Sequence, residues 1–251
     1  MYFVQVLVFI IGACIGSFLN VCIYRLPRGQ SVVSNPSHCP GCGRRLGVPD
    51  LVPLLSYVLL KGRCRYCGER ISARYPLVEL LTALLFLVAY HFWGLQWQTV
   101  AMWLFFAVLV TAAFIDFQHK IIPDELILAG GVLGLPLVFL SGPGKLVDGL
   151  IGFLFAGLLF LFIAVVSNGG MGGGDIKLSA LMGLYLGFPN IIVALFSSFL
   201  LGGLSGIALM ALRAKNRKDS VPFGPFLAFG SVLAAFYSGQ IIRWYLHISG
   251  L

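Results

Sequence analysis

Residues 97–116 read WQTVAMWLFFAVLVTAAFID, an apolar run that ends on a carboxylate. A helix of about 20 apolar residues matches the hydrocarbon layer of a bilayer. The run does not alternate apolar and polar positions, as a lipid-facing β-strand would. Seven more such runs fall at about 1–24, 76–93, 124–140, 146–167, 176–188, 190–212 and 224–248, with 176–188 the shortest. Hydrophobic residues form 59% of the 251-residue chain and charged residues only 10%, with a mean hydropathy of +0.96. Soluble domains carry about a quarter charged residues, so this chain has too few to clothe a water-facing surface. The expected fold is an all-α polytopic membrane protein with about eight transmembrane helices. The first run has Arg25 and Arg28 after it rather than a basic stretch before it, so it is expected to be a retained span, not a cleaved signal.

Between the first two runs, residues 25–75 are polar, basic and cysteine-bearing. Of the 17 Lys and Arg, nine lie here, and Lys120, Lys177, Arg213, Lys215, Arg217 and Lys218 alternate onto the same side of the membrane. Only Lys145 and Arg243 fall opposite. Basic loops stay in the cytoplasm, which predicts an N-terminus outside and the 25–75 segment inside. The net charge of +8 is thus a topology signal, with contact to anionic lipid head groups as a secondary use. A nucleic-acid partner is not expected, because no basic face is interleaved with aromatics in a soluble fold. The division expected is 1–24 as the first transmembrane helix, 25–75 as a zinc-binding insertion and 76–251 as the membrane core.

The insertion holds Cys39-Pro40-Gly41-Cys42 and Cys64-Arg65-Tyr66-Cys67, two C-x2-C turns with 21 residues between them. Two such turns present four thiolates, which complete a tetrahedral zinc site. Gly43 and Gly68 follow the second cysteine of each turn, where the knuckle needs a positive φ. A pair of disulfides is the alternative, but a cytoplasmic loop is reducing. With Cys39, Cys42, Cys64 and Cys67 all used as ligands, the expected zinc is structural.

Asp116 closes the third run. Asp175 opens the sixth, within Gly170-Met171-Gly172-Gly173-Gly174-Asp175-Ile176-Lys177. Carboxylates beside lipid are costly and mark function. The charge count puts both at the cytoplasmic edge, on different helices that can face each other. Two facing carboxylates share a proton. The ionised one takes a proton from water, the protonated one polarises a scissile carbonyl, and water attacks directly. The titrations are coupled, so neither residue is assigned as the acid. Gly172, Gly173 and Gly174 would let a strand-like edge hold an unwound substrate by backbone hydrogen bonds. A phosphate loop is excluded, since Asp rather than Lys-Ser/Thr follows the glycines. Plainer readings stand beside these: Asp175 as a helix N-cap, and Asp116 paired with Lys120 at i,i+4. Asp124 and Glu125 suit the start of the next helix.

Four stretches in order resemble the type IV prepilin peptidase family, bifunctional leader peptidases and N-methyltransferases among the G-x-G-D membrane aspartic proteases. They are Gly16-Ser17-Phe18-Leu19-Asn20 through Pro27, the paired C-x2-C turns with Arg74-Tyr75-Pro76-Leu77-Val78-Glu79, Ile115-Asp116 through Asp124, and Gly172-Gly173-Gly174-Asp175. The family commonly reads Asp-Asn-Ile-Pro after the first knuckle, where this chain has Asp50-Leu51-Val52-Pro53. The resemblance implies catalysis by Asp116 and Asp175. It implies removal of the basic leader of type IV prepilins or pseudopilins, after a glycine, at the cytoplasmic face of a bacterial inner membrane. It further implies N-methylation of the new N-terminus with S-adenosylmethionine. No G-x-G-x-x-G follows a strand, so a Rossmann site for that donor is not expected. Gly62 and Glu79 are candidates for the donor pocket, against a simple turn at Gly62 and a helix hydrogen bond or ion pair at Glu79.

Three rivals remain at this point. A transporter with a zinc module would also carry intramembrane acids and a glycine-broken helix, though usually with inverted repeats. An inactive scaffold would use the knuckles to hold a partner. A peptidase without methyl transfer would differ only in its product.

Overall fold

The computed structural model describes residues 2–34, 36–168, 170–211 and 221–249. The basic residues Arg213, Lys215, Arg217 and Lys218, used above for topology, lie outside the described residues, as does the end of the 190–212 run. Among the described residues there are nine α-helices and no β-strand. Eight fall on the eight apolar runs: α1 (Tyr2–Arg25), α3 (Arg74–Trp93), α4 (Trp97–His119), α5 (Asp124–Leu140), α6 (Pro143–Val166), α7 (Gly173–Leu186), α8 (Asn190–Ala211) and α9 (Gly224–Ser249). The ninth, α2 (Leu55–Leu59), is a short piece inside the 25–75 insertion. The chain is an all-α polytopic membrane protein. Six helices, α1, α3, α4, α6, α8 and α9, are long and apolar enough to cross a bilayer. At 17 residues α5 is shorter, and α7 has only 14.

The chain forms two compact units, Met1–Leu95 and Gln96–Leu251. In the first, α1 packs on α3 through glycine. A Cβ at Gly12 would stand 2.7 Å from the Ala83 Cα, and one at Gly16 2.6 Å from the Glu79 Cα. Small residues four apart let membrane helices approach backbone to backbone. Asn20, 2% exposed, ties the pair further, since its amide donates to the carbonyls of Gly16 (3.3 Å) and Tyr75 (3.0 Å). The insertion between these helices carries two isolated bridges, His38 with Arg45 and Arg63 with Arg70.

In the second unit α4 is the most enclosed of the membrane-crossing helices, with Phe105, Phe106, Leu109 and Ile115 buried. Leu178 through Leu186, nine consecutive residues of α7, are buried. That burial explains the short run, because a helix walled by protein on every side has no lipid thickness to match. Its neighbours grip it specifically. The Tyr185 hydroxyl donates to the Gly130 carbonyl of α5 at 2.7 Å, and its ring stacks on Phe105 of α4 with centroids 4.7 Å apart. Helix α4 stops at Lys120, in the left-handed region at φ 55°, and α7 stops at Gly187, φ 71°.

Candidate active site

Helix α4 runs on past Asp116 to His119, so Asp116 sits in its last turn, 6% exposed. The Lys120 N–H closes that turn on the Asp116 carbonyl at 2.8 Å. The carboxylate points into the unit, and its Oδ2 accepts a bond of 2.7 Å from the backbone N–H of Gly224, the first residue of α9. Asp175 lies in the first turn of α7 and is half-buried. Helices α4 and α7 touch, and the two carboxylates are within Coulombic reach of each other.

The glycine run departs from its expected form. Only Gly172 is extended (φ −70°, ψ 142°), while Gly173 and Gly174 already belong to α7. The Asp175 N–H bonds the Gly172 carbonyl at 3.1 Å, which winds the segment into a first helical turn instead of a strand-like edge. Asp175 is accordingly the third residue of the helix, and Gly172 rather than Asp175 is its N-cap. Gly174 serves packing, because a Cβ there would stand 2.9 Å from the Cβ of Ile122 in the segment joining α4 to α5. Beside it, Lys177 Nζ lies 2.7 Å from both Asp124 oxygens, joining the start of α5 to that of α7. Asp124 and Glu125 do occupy the first turn of α5, where they suit the helix dipole. Two carboxylates thus stand on α4 and α7, Asp116 enclosed and Asp175 half-buried.

In the first unit the Cys39, Cys42, Cys64 and Cys67 sulfurs lie within 4.8 Å of one another. Each knuckle turns the same way: the Cys39 N–H bonds the Arg44 carbonyl at 2.9 Å, and the Cys64 N–H that of Glu69 at 2.8 Å. The N–H groups of Cys67 and Tyr66 face the Cys64 sulfur and bring its pKa down to about 7. The Glu69 N–H favours the Cys67 thiolate, yet burial and three neighbouring thiols push Cys67 up to about 12. Four thiols so close cannot all ionise by themselves; a divalent cation at their centre would resolve the conflict. Asp50 braces the second knuckle, accepting from Arg65 Nε at 2.7 Å and the Tyr66 hydroxyl at 3.3 Å.

Gly62 has φ +66°, and a Cβ there would stand 2.9 Å from the Tyr57 hydroxyl. Glu79, 7% exposed on α3, accepts from the Leu54 N–H at 2.8 Å. Leu54 has a positive φ of 62°, so this bond steadies a strained turn. Both candidates therefore shape the 53–71 loop, Glu79 at its start through Leu54 and Gly62 at its middle beside Tyr57. Sequence reasoning missed Gly224. The available signal was Pro222-Phe223-Gly224-Pro225 opening an apolar run, but a backbone donor leaves no side-chain mark.

Residues 10–93 match the family described as bacterial peptidase A24 N-terminal domain, and residues 103–207 the type IV leader peptidase family. The prepilin leader peptidase/N-methyltransferase of Aeromonas salmonicida (strain A449) is 39% identical over 271 residues, covering 96% of this chain and 93% of that protein. The protein of the same name from Bacillus subtilis (strain 168) is 36% identical over 97% of this chain and 98% of its own length. That of Pseudomonas aeruginosa is 35% identical over 96% and 93%. No solved structure matches significantly.

Proposed function

Since the chain belongs to the type IV leader peptidase family, we infer that it removes the leader of type IV prepilins or pseudopilins and then methylates the new N-terminus. Transport and scaffold functions are not favoured by its relatives. Asp116 and Asp175 are the hydrolytic pair in this scheme. One holds the proton that polarises the scissile carbonyl, and the other takes a proton from the attacking water. The observation that supports the assignment is that α4 and α7 touch and carry two carboxylates within electrostatic reach of each other, one bonded by Gly224. Gly172 and Gly173, the exposed glycines of the run, give the substrate backbone close access to Asp175, while Gly174 seats the start of α7 against Ile122. The work takes place at the cytoplasmic face of a bacterial inner membrane, with the N-terminus outside, as the distribution of Lys and Arg supports.

Zinc held by Cys39, Cys42, Cys64 and Cys67 has a structural role, since protein fills all four positions. S-adenosylmethionine, when bound, supplies the methyl group. Gly62 and Glu79 shape the loop against which we place it, between the knuckles and the membrane.

Purified protein is incubated with a prepilin, and leader release is followed by mass spectrometry beside Asp116→Asn and Asp175→Asn. Wild type is expected to cleave after the leader glycine and add a methyl group; both folded variants are expected to stop cleaving. Normal cleavage by either variant would remove that aspartate from the pair.

A further inference from the structure

Gly224 and Asp116 are 108 positions apart and joined by a buried 2.7 Å bond. The first turn of a helix has free N–H groups and a positive end. In α9 those groups are nearly all committed elsewhere. Pro225 has none, and Phe226 and Leu227 bond back to the Phe223 carbonyl at 3.0 and 3.1 Å. The Gly224 N–H is left to face forward, and it meets Asp116 Oδ2. The turn is clamped by aromatic packing, with Phe223 lying 5.4 Å from Phe199 and 6.3 Å from Phe160 between ring centroids. The donor is therefore rigidly placed. Its side chain is equally constrained: a Cβ at 224 would stand 2.9 Å from Asp116 Oδ2, 3.0 Å from its Cβ and 3.2 Å from its Cγ.

We propose that Gly224 is a positioning residue of the proteolytic centre, whose backbone N–H occupies Asp116 Oδ2 and turns Oδ1 toward water and substrate. This rests on the assignment of Asp116 and Asp175 as the hydrolytic pair. A carboxylate that rotates freely presents the correct oxygen only part of the time, whereas one held through a single oxygen presents the other permanently. Glycine is required because the donor must approach without a side chain. Misplacement of a reacting group by about 1 Å costs on the order of 100-fold in rate. The effect falls on the chemical step, since neither Gly224 nor Asp116 Oδ2 is needed to hold the substrate.

Two measurements test it. In the first, Gly224→Ala is compared with wild type and with Gly239→Ala, whose Cβ meets nothing within 4 Å. Gly224→Ala is expected to lower kcat for leader cleavage roughly 10- to 100-fold with KM nearly unchanged. Methylation of an already cleaved pilin should persist, and Gly239→Ala should behave as wild type. The second needs no turnover. Selective 13C-carbonyl Phe and 15N-Gly labelling isolates two amides, Gly224 and Gly230, because Phe223-Gly224 and Phe229-Gly230 are the two Phe-Gly pairs in the chain. The Gly224 amide proton should resonate far downfield and move upfield in Asp116→Ala, while Gly230 stays in place. Wild-type kcat in Gly224→Ala, or a Gly224 amide indifferent to Asp116→Ala, overturns the proposal. A wild type that cleaves no prepilin while the amide still responds overturns the peptidase assignment, and the positioning role with it.

Discussion

Gly152 of α6 and Gly183 of α7 meet backbone to backbone: a Cβ on Gly183 would run into the Gly152 carbonyl, and one on Gly152 into that of Gly183. One turn away, a Cβ on Gly149 would meet the Leu184 carbonyl. The helix carrying Asp175 is thus held where side chains are missing. Gly183→Ala should destabilise the protein by about 1–3 kcal/mol through overpacking. Thermal unfolding in detergent measures it, and cleavage should fall in parallel because Asp175 moves with α7. An unchanged melting temperature would mean the two backbones are not in contact.

Asp50 offers a test by pH. Burial disfavours its carboxylate, but the bonds from Arg65, the Gly47 N–H and Tyr66 outweigh this and hold its pKa below the usual carboxylate range. The folded pKa is the lower one, so the stabilisation is complete above the unfolded value of about 3.9 and fades as pH falls through the folded value. Asp50→Asn should lower the stability of the cysteine insertion at neutral pH, and the difference from wild type should shrink below about pH 4. Melting curves of both proteins across that range decide it; a gap that widens in acid would be the wrong sign.

Metal removal should act locally. The knuckle bonds from Cys39 to Arg44, Gly43 to Cys39, Cys64 to Glu69 and Gly68 to Cys64 close small loops around the four sulfurs. Stripped of the proposed zinc, those loops retain little to hold them. Hydrogen exchange after chelation should rise at these four amides and stay constant through α4–α9. Uniform protection before and after chelation would show that no metal supports the insertion.

Gly62→Ala should cost about 1–2 kcal/mol from its left-handed backbone, beyond the approach to Tyr57. If the methyl donor lies against this loop, methylation should drop roughly tenfold while leader cleavage continues. Scoring both products from a single prepilin digest separates the two activities. An equal loss in both would place Gly62 in general folding.

The helices were legible because lipid forces long apolar runs, and eight of nine were foreseen within a few residues of their ends. The four cysteines were legible because metal ligation needs particular side chains at particular spacing. What escaped the sequence was carried by backbone. The bond from Gly224 to Asp116 spans the unit and leaves no composition signal. Gly173 and Gly174 suggested an open strand, yet both belong to α7, and the missing side chain of Gly174 serves helix packing against Ile122. Helix α2 is too short for periodicity to reveal. Asp50 reads as an ordinary loop carboxylate until Arg65 and Tyr66 are folded onto it.

The enclosure of α7 bears on how bilayer composition reaches the site. Fourteen residues rise about 21 Å, well short of a hydrocarbon layer of about 30 Å. A lipid-facing helix of that length would thin the membrane or drag in head groups. With Leu178 through Leu186 covered by protein, that stretch of α7 is shielded from acyl chains and bears no such mismatch. Thicker or thinner bilayers therefore strain the outer helices first, and Asp175 rides on a piece of the protein insulated from the lipid around it.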